Sequence, residues 1–94
     1  MVASVVEVAR PLRVVLFGSA ARSQQQRYSD VDLLVVLTDG ADCKDVAKML
    51  YRLSLPAPTD FVVVTESELA ELRDNIGTIF PRIAREGREL YAAA

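Results

Sequence analysis

The fold of this chain is decided by residues 16–37, where Leu-Phe-Gly-Ser-Ala-Ala-Arg (16–22) is followed by Ser-Asp-Val-Asp-Leu-Leu-Val-Val-Leu (29–37). A Gly-Ser turn closes one apolar run, and two carboxylates at positions i and i+2 open the next. Residues i and i+2 of a strand point to the same face of the sheet. The side chains of Asp30 and Asp32 are therefore predicted to project together from the start of a strand.

Outward from this segment, the hydrophobic pattern alternates between helical and strand periodicity. Runs of β-branched and apolar residues predict strands over 13–17, 30–37 and 60–64. Apolar residues at helical spacing, with capping residues before them, predict helices over 2–9, 19–24, 43–53, 66–76 and 78–86, followed by an extended tail over 89–91. This α-β-α-β-α-β-α-α order predicts a single α/β (α+β) domain, residues 1–94, with a small mixed sheet flanked by helices on both faces.

Local signals set several of these boundaries. Asp42 is predicted to cap the helix whose apolar face includes Met49. Thr65 and Glu68 have the spacing of a capping box, in which each side chain accepts from the backbone N–H of the other residue. Gly87 is placed where the C′ residue of the last helix would lie.

Composition excludes several classes of function. The chain has no histidine and one cysteine, Cys43, so imidazole bases, Ser-His pairs, disulfides within the chain and thiolate metal clusters are excluded. A net charge of −2 argues against general binding of nucleic acid through its phosphates. No apolar run approaches the roughly 20 residues that cross a bilayer, so a cytoplasmic protein is expected. Catalysis would have to use carboxylates, hydroxyls, cationic side chains and a bound metal.

The paired aspartates suit a metal site. Two carboxylates this close repel each other unless a cation neutralises them. Mg²⁺ takes hard oxygen ligands from one or two carboxylates together with the phosphates of a substrate. Asp60 opens the third predicted strand as Asp30 opens the second, so parallel neighbouring strands about 4.8 Å apart would bring it to Asp30 and Asp32.

The Gly-Ser turn suits a phosphate site. Gly18 lets the backbone approach a ligand closely, and the amides of a helix that starts at Ser19 favour anions. Arg22 could bind a phosphate with two hydrogen bonds. For Ser19 to meet Asp30, the first strand must end where the second begins, so these two strands are predicted to be antiparallel.

Each feature alone has a simpler structural explanation. A Gly-Ser pair after a strand commonly forms only a turn and a helix cap, and an Asp-x-Asp pair commonly marks the solvated end of a strand. Asp60, after two prolines, could be a turn residue, and Arg22 a solvated loop charge. Their order and spacing together are much more specific than any one of them.

That combination resembles the DNA-polymerase-β-like nucleotidyltransferase superfamily, most closely its minimal nucleotidyltransferases. The resemblance is carried by residues 18–22 and 29–36, by Asp60 in an Asp-Phe-Val-Val strand, and more weakly by residues 83–91. One position departs from the family pattern, because Ser23 stands where glycine usually follows the motif arginine. If that glycine adopts a positive φ, Ser23 would reshape the loop before Asp30.

The resemblance implies a set of roles. Asp30, Asp32 and Asp60 would hold two Mg²⁺ ions, and Asp60 would also act as the general base. Gly18 and Ser19 would bind the phosphates of ATP. The reaction implied is transfer of AMP to a hydroxyl group, with pyrophosphate as the leaving group.

The resemblance also implies a partner. A chain of this size is not expected to hold a separate acceptor domain, and relatives of this kind are often encoded beside a HEPN-type toxin. The resemblance therefore implies an antitoxin that transfers AMP to a toxin tyrosine. With 51% apolar residues, an exposed interface patch is also expected, for a second copy or for a different chain. Two alternatives stay open: a subunit that nucleotidylates a small molecule, and an antitoxin with a silent site that acts by binding alone.

Overall fold

The computed structural model describes residues 2–17, 31–55, 59–72, 83 and 87–93. Three helices and four strands lie in these ranges, in the order α1 (Val2–Ala9), β1 (Arg13–Phe17), β2 (Val31–Leu37), α2 (Cys43–Tyr51), β3 (Thr59–Thr65), α3 (Glu66–Leu72) and β4 (Arg88–Ala92). The predicted helix over 19–24 lies outside the described residues, and of the predicted helix over 78–86 only Ile83 is described. None of the helices in the described ranges is long and apolar enough to cross a membrane.

The four strands form one mixed sheet in the order β3-β2-β1-β4. β1 is antiparallel to β2, and β2 is parallel to β3. These two directions are the ones that would bring the predicted site residues together. The prediction of a small mixed sheet flanked by helices is confirmed. Because β2 and β3 are parallel neighbours, the chain returns from the end of one to the start of the other through α2.

The fourth strand corrects the prediction of an extended tail at residues 89–91. β4 pairs antiparallel with β1, and Arg13 Nε lies 2.8 Å from Glu89 Oε1 across this pair. β1 has an edge that β2 does not cover, and its backbone N–H and C=O groups there need partners. The segment was not predicted as a strand because Arg88 and Glu89 open it with two adjacent charges, which break the usual alternation.

Both faces of the sheet are covered, as the continuous apolar run of β2 predicts. Alternate residues of that strand pack into two separate clusters: Leu33, Val35 and Leu37 on one face, and Leu34 and Val36 on the other. All five side chains are at most 2% exposed. We call the face that carries Leu34 and Val36 the α3 face, because Leu69 and Leu72 of α3 pack against it.

Two predicted helix caps are present, and one residue predicted to be buried is exposed. Asp42 caps α2 by accepting a hydrogen bond from the Asp45 N–H at 3.1 Å. Thr65 and Glu68 form the capping box of α3, with reciprocal bonds of 3.1 and 3.2 Å. Met49 is 38% exposed, so its placement on the buried face of α2 was wrong.

Gly87 is needed for a reason other than the one predicted. Its N–H donates to the Ile83 carbonyl at 2.7 Å, as expected at a helix end. Among the glycines of the described ranges, however, only Gly40 has a positive φ. A Cβ at Gly87 would overlap the Ile83 carbonyl oxygen and lie 2.6 Å from Val15 Cγ1. Close packing against β1 therefore excludes a side chain here.

Replacing Arg10 with glycine is expected to stabilise the fold. Arg10 has φ 47 and donates its N–H to the Val6 carbonyl at 2.9 Å, which is the geometry of a left-handed helix C-cap. Relief of the Cβ strain, less the entropy cost of glycine, should contribute about 0.5–1 kcal/mol. Thermal unfolding followed by circular dichroism measures this gain. Arg10→Ala is the control, since it keeps the Cβ, and an equal gain from alanine would contradict a backbone origin.

Candidate active site at the start of β2 and β3

Two of the three predicted aspartates lie directly opposite each other in the sheet. In the parallel register of β2 and β3, Asp32 pairs with Asp60. Neighbouring parallel strands lie about 4.8 Å apart, so the two carboxylates start from adjacent backbone positions. By the alternation of a strand, Asp32 shares its face with Leu34, and Asp60 shares its face with Val64, so both belong to the α3 face. Asp32 is partly buried and Asp60 is exposed.

The end of β1 reaches the same edge of the sheet. Phe17, the residue immediately before Gly18 in the sequence, pairs with Asp32 in the antiparallel register of β1 and β2. The predicted antiparallel arrangement is therefore confirmed. Gly18, Ser19, Arg22 and Asp30 lie outside the described residues, and their roles stay predictions.

The chemistry of this edge fits a hard divalent cation. Asp32 and Asp60 supply carboxylate oxygens from one face, and the exposure of Asp60 leaves room for the water and phosphate ligands that Mg²⁺ retains. Within the described ranges no group of three or more histidine, cysteine, aspartate or glutamate side chains is close enough to hold a metal ion. Asp30, the third ligand that the sequence predicts, lies outside those ranges.

Tyr51 is a site neighbour that the sequence did not single out. The last residue of α2, it accepts a hydrogen bond through its hydroxyl from the backbone N–H of Phe61 at 3.0 Å. The two rings also meet edge to face, with centroids 5.2 Å apart and planes at 86°. Phe61 follows Asp60 directly in β3. Helical periodicity places Tyr51 beside the buried face but carries no signal for a contact with another element.

A second polar cluster lies at the opposite end of β2 and β3, where both strands finish. Asp39, in the turn after β2, accepts hydrogen bonds from the Ser67 hydroxyl at 2.5 Å and from the Ser67 N–H at 2.9 Å. These two bonds stabilise the ionised carboxylate and hold the pKa of Asp39 below its usual value. Since Ser67 is in the first turn of α3, the contact is a helix cap supplied by a distant turn.

Cys43 belongs to the same cluster and has the chemistry of an inert thiol. Its Sγ lies 3.9 Å from Glu68 Oε1. Burial and the nearby charge of Glu68 raise the pKa of the Cys43 thiol, so the reactive thiolate is disfavoured at neutral pH.

Comparison with known proteins places the chain in a family. Residues 4–85 match the family model of the nucleotidyltransferase domain. The chain belongs to the nucleotidyltransferase domain family. This agrees with the resemblance carried by residues 18–36 and Asp60, and it makes the edge that carries Asp32 and Asp60 the candidate active site of a nucleotidyltransferase domain.

This nucleotidyltransferase domain is similar to one curated relative and to several solved structures. It is 32% identical over 60 residues to a candidate protein adenylyltransferase, MJ0435, from Methanocaldococcus jannaschii, a match that spans 64% of each chain. A toxin–antitoxin structure with AMP-PNP superposes with a TM-score of 0.64 at 23% identity, over 98% of this chain and 71% of that one. A candidate nucleotidyltransferase from Sulfolobus solfataricus gives 0.63 at 22%, over 97% and 73%. At these identities the solved structures establish a shared fold.

Proposed function

We propose that this nucleotidyltransferase domain transfers AMP from ATP to a hydroxyl group of a partner protein. The observation that carries the proposal is the register that sets Asp32 opposite Asp60 at the edge where β1 ends. Because the end of β1 and the starts of β2 and β3 meet there, the carboxylates and the predicted phosphate-binding turn after Phe17 could act on the same nucleotide. Family membership supports the same class of reaction.

In the proposed mechanism the aspartates bind the metal ion, and the segment after β1 binds the triphosphate. Asp32 and Asp60, with Asp30, would hold Mg²⁺, which when bound supplies neutralisation of the phosphate charge. The backbone and hydroxyl at Gly18 and Ser19 would hold the triphosphate.

Proton removal falls to Asp60, which is exposed enough to meet an incoming acceptor. Its carboxylate accepts the proton of the acceptor hydroxyl as the oxygen attacks the α-phosphorus. The new O–P bond forms while the bond to the β-phosphate oxygen breaks, and pyrophosphate leaves with that electron pair. The product is an AMP ester of the acceptor.

The proposed acceptor is a tyrosine of a HEPN-type toxin, which would make this chain an antitoxin. Two observations support this choice. The M. jannaschii relative is described as a candidate protein adenylyltransferase, and the fold is shared with a toxin–antitoxin structure that contains AMP-PNP. Tyrosine is chemically suitable because its phenolic proton is more acidic than that of serine or threonine.

The experiment that tests the proposal follows the α-phosphate. The chain is incubated with Mg²⁺, the protein encoded by the neighbouring gene, and ATP labelled at either the α- or the γ-phosphate. We expect label on the partner from α-labelled ATP alone, and peptide mass spectrometry should place AMP on a tyrosine. Label from γ-labelled ATP would indicate phosphorylation and contradict the proposal.

Ser23 supports a second candidate, in which the chain inhibits its partner by contact alone. Serine at this position departs from the glycine of the family pattern, and a changed loop would weaken nucleotide binding. The same assay separates the two: a tight complex without transfer of label favours the binder. If neither label nor complex is found, a small-molecule acceptor becomes the better candidate.

A further inference from the structure

We propose that Tyr51 is a positioning residue for the carboxylate of Asp60. The inference rests on the proposed function, because it assigns Tyr51 a role in the reaction of that site. Its basis is the contact of Tyr51 with Phe61, the residue that follows Asp60 in β3, at 3.0 Å between the hydroxyl oxygen and the backbone nitrogen.

In the described strand order β3 is an outer strand, with β2 on one side. Successive N–H groups of a strand point to opposite edges, so the Phe61 N–H, which meets Tyr51, points away from β2. No strand of the described ranges supplies its acceptor, and the Tyr51 hydroxyl does. The outer edge of β3 is thus fixed by a side chain at the residue that follows Asp60.

α2 connects the end of β2 to the start of the parallel β3, so its last residue returns to the edge that carries Asp32 and Asp60. Tyr51 then contacts β3 twice, through the hydroxyl and through the edge-to-face ring contact with Phe61 at 5.2 Å. The Phe61 side chain is 9% exposed and belongs to the core cluster on the face opposite the α3 face. Tyr51 therefore fixes the Phe61 backbone from the side away from the carboxylates.

Asp60 reaches its place opposite Asp32 only if the first residues of β3 stay in register. The start of an outer strand frays easily, because only one neighbour holds it. A small displacement of a reacting group is costly, since catalysis depends on groups held close to the productive geometry. The Tyr51 hydroxyl restrains the backbone one residue away from Asp60.

The exposure of Tyr51 argues against a purely hydrophobic role. Its side chain is 55% exposed, the most exposed of the large apolar side chains in the described ranges. A residue kept only for core packing would bury its ring, whereas a hydroxyl that must reach the strand edge can leave much of the ring in solvent. The expected consequence is that the hydroxyl, and not the ring alone, affects the reaction.

The test compares Tyr51→Phe with Tyr91→Phe. The second variant makes the same chemical change on β4, the outer strand at the opposite edge of the sheet from β3. Three quantities are measured at a temperature where all proteins are folded: hydrogen exchange of the Phe61 amide, the Kd for Mn²⁺ without nucleotide, and kcat and KM for AMP transfer. For Tyr51→Phe we expect faster exchange at Phe61. We also expect a Mn²⁺ Kd raised and a kcat lowered by roughly 3- to 10-fold, with KM for ATP within about twofold. Tyr91→Phe should match the wild type.

Two outcomes would overturn the inference, and they differ from each other. If Tyr51→Phe speeds exchange at Phe61 but leaves Mn²⁺ affinity and kcat at the wild-type values, the hydrogen bond only stabilises the strand. If the wild type neither binds Mn²⁺ nor transfers AMP, the proposed function fails, and the positioning role fails with it.

Discussion

Asp60→Asn is expected to lower AMP transfer by about 10²- to 10⁴-fold, the range in which general base catalysis contributes. The side chain keeps its size but loses the charge that binds a cation and the capacity to accept a proton. Asp60 is exposed and lies opposite Asp32 in the β2–β3 register, so removal of its charge also removes a repulsion between two carboxylates. Stability should therefore stay equal or rise slightly while activity is lost. Initial rates of label transfer, with thermal unfolding alongside, measure both quantities.

The matched control for this variant is Asp45→Asn. Asp45 is an exposed aspartate in the first turn of α2, away from the β2–β3 start, and the substitution makes the same change in charge. Its transfer rate should equal that of the wild type. A rate for Asp60→Asn within about twofold of wild type would exclude Asp60 as general base, given the magnitude expected of that role. A matching loss in Asp45→Asn would point to a general effect of charge.

Gly87→Ala is expected to destabilise the protein by about 1–3 kcal/mol, the usual cost of forcing an extra methyl group into a packed site. The new Cβ would overlap the Ile83 carbonyl oxygen and lie 2.6 Å from Val15 Cγ1. A backbone carbonyl cannot rotate away as a side chain can, so the start of β4 must move relative to β1. For a domain of this size each kcal/mol corresponds to about 4–8 °C in Tm. Urea unfolding followed by circular dichroism gives the free energy of unfolding.

Two further variants separate the causes of this loss. Gly40→Ala adds a Cβ where no atom lies within 4 Å, but at φ 91, so it reports the cost of backbone strain without a clash. Gly87→Ala in a Val15→Ala background removes Val15 Cγ1. The double variant should lose less free energy of unfolding than the sum of the losses of the two single variants. A free energy of unfolding for Gly87→Ala within about 0.5 kcal/mol of wild type, the range of neutral surface changes, would contradict the clash.

The sequence could predict the strands and helices whose signals are local. The apolar run of β2 and the capping box at Thr65 and Glu68 depend on neighbouring residues, and both are present in the structure. That Asp60 lies close to Asp32 could be predicted, because a candidate phosphate and metal site constrains the order and direction of the strands. The register could not: the sequence matched Asp60 to Asp30, whereas Asp60 lies opposite Asp32. Local pattern and chemical requirement pointed to the same topology.

What could not be predicted depends on contacts between distant segments. β4 is a strand because β1 has an uncovered edge, a fact that residues 88–92 do not encode by themselves. Arg10 adopts a left-handed conformation that sequence rules assign to glycine, because the chain must turn before Pro11. The contacts of Asp39 with Ser67 and of Tyr51 with Phe61 join elements that the sequence pattern treats separately.

The pairing of β1 with β4 also determines how the domain responds to mechanical force. Arg13, at the start of β1, is opposite Ala92, at the end of β4, and the Ala93 N–H donates to the Leu12 carbonyl at 2.8 Å. A pull applied to the chain before β1 and after β4 would break the hydrogen bonds of this antiparallel pair one after another. It would not load all of them in shear at the same time. β4 has a register shift opposite Val14 and Val15, and in the described sheet it has a neighbour on one side only. A pull on the C-terminal end of β4 would therefore separate β4 from β1, and loss of β4 would expose β1 while Asp32 and Asp60 were still held by β2 and β3.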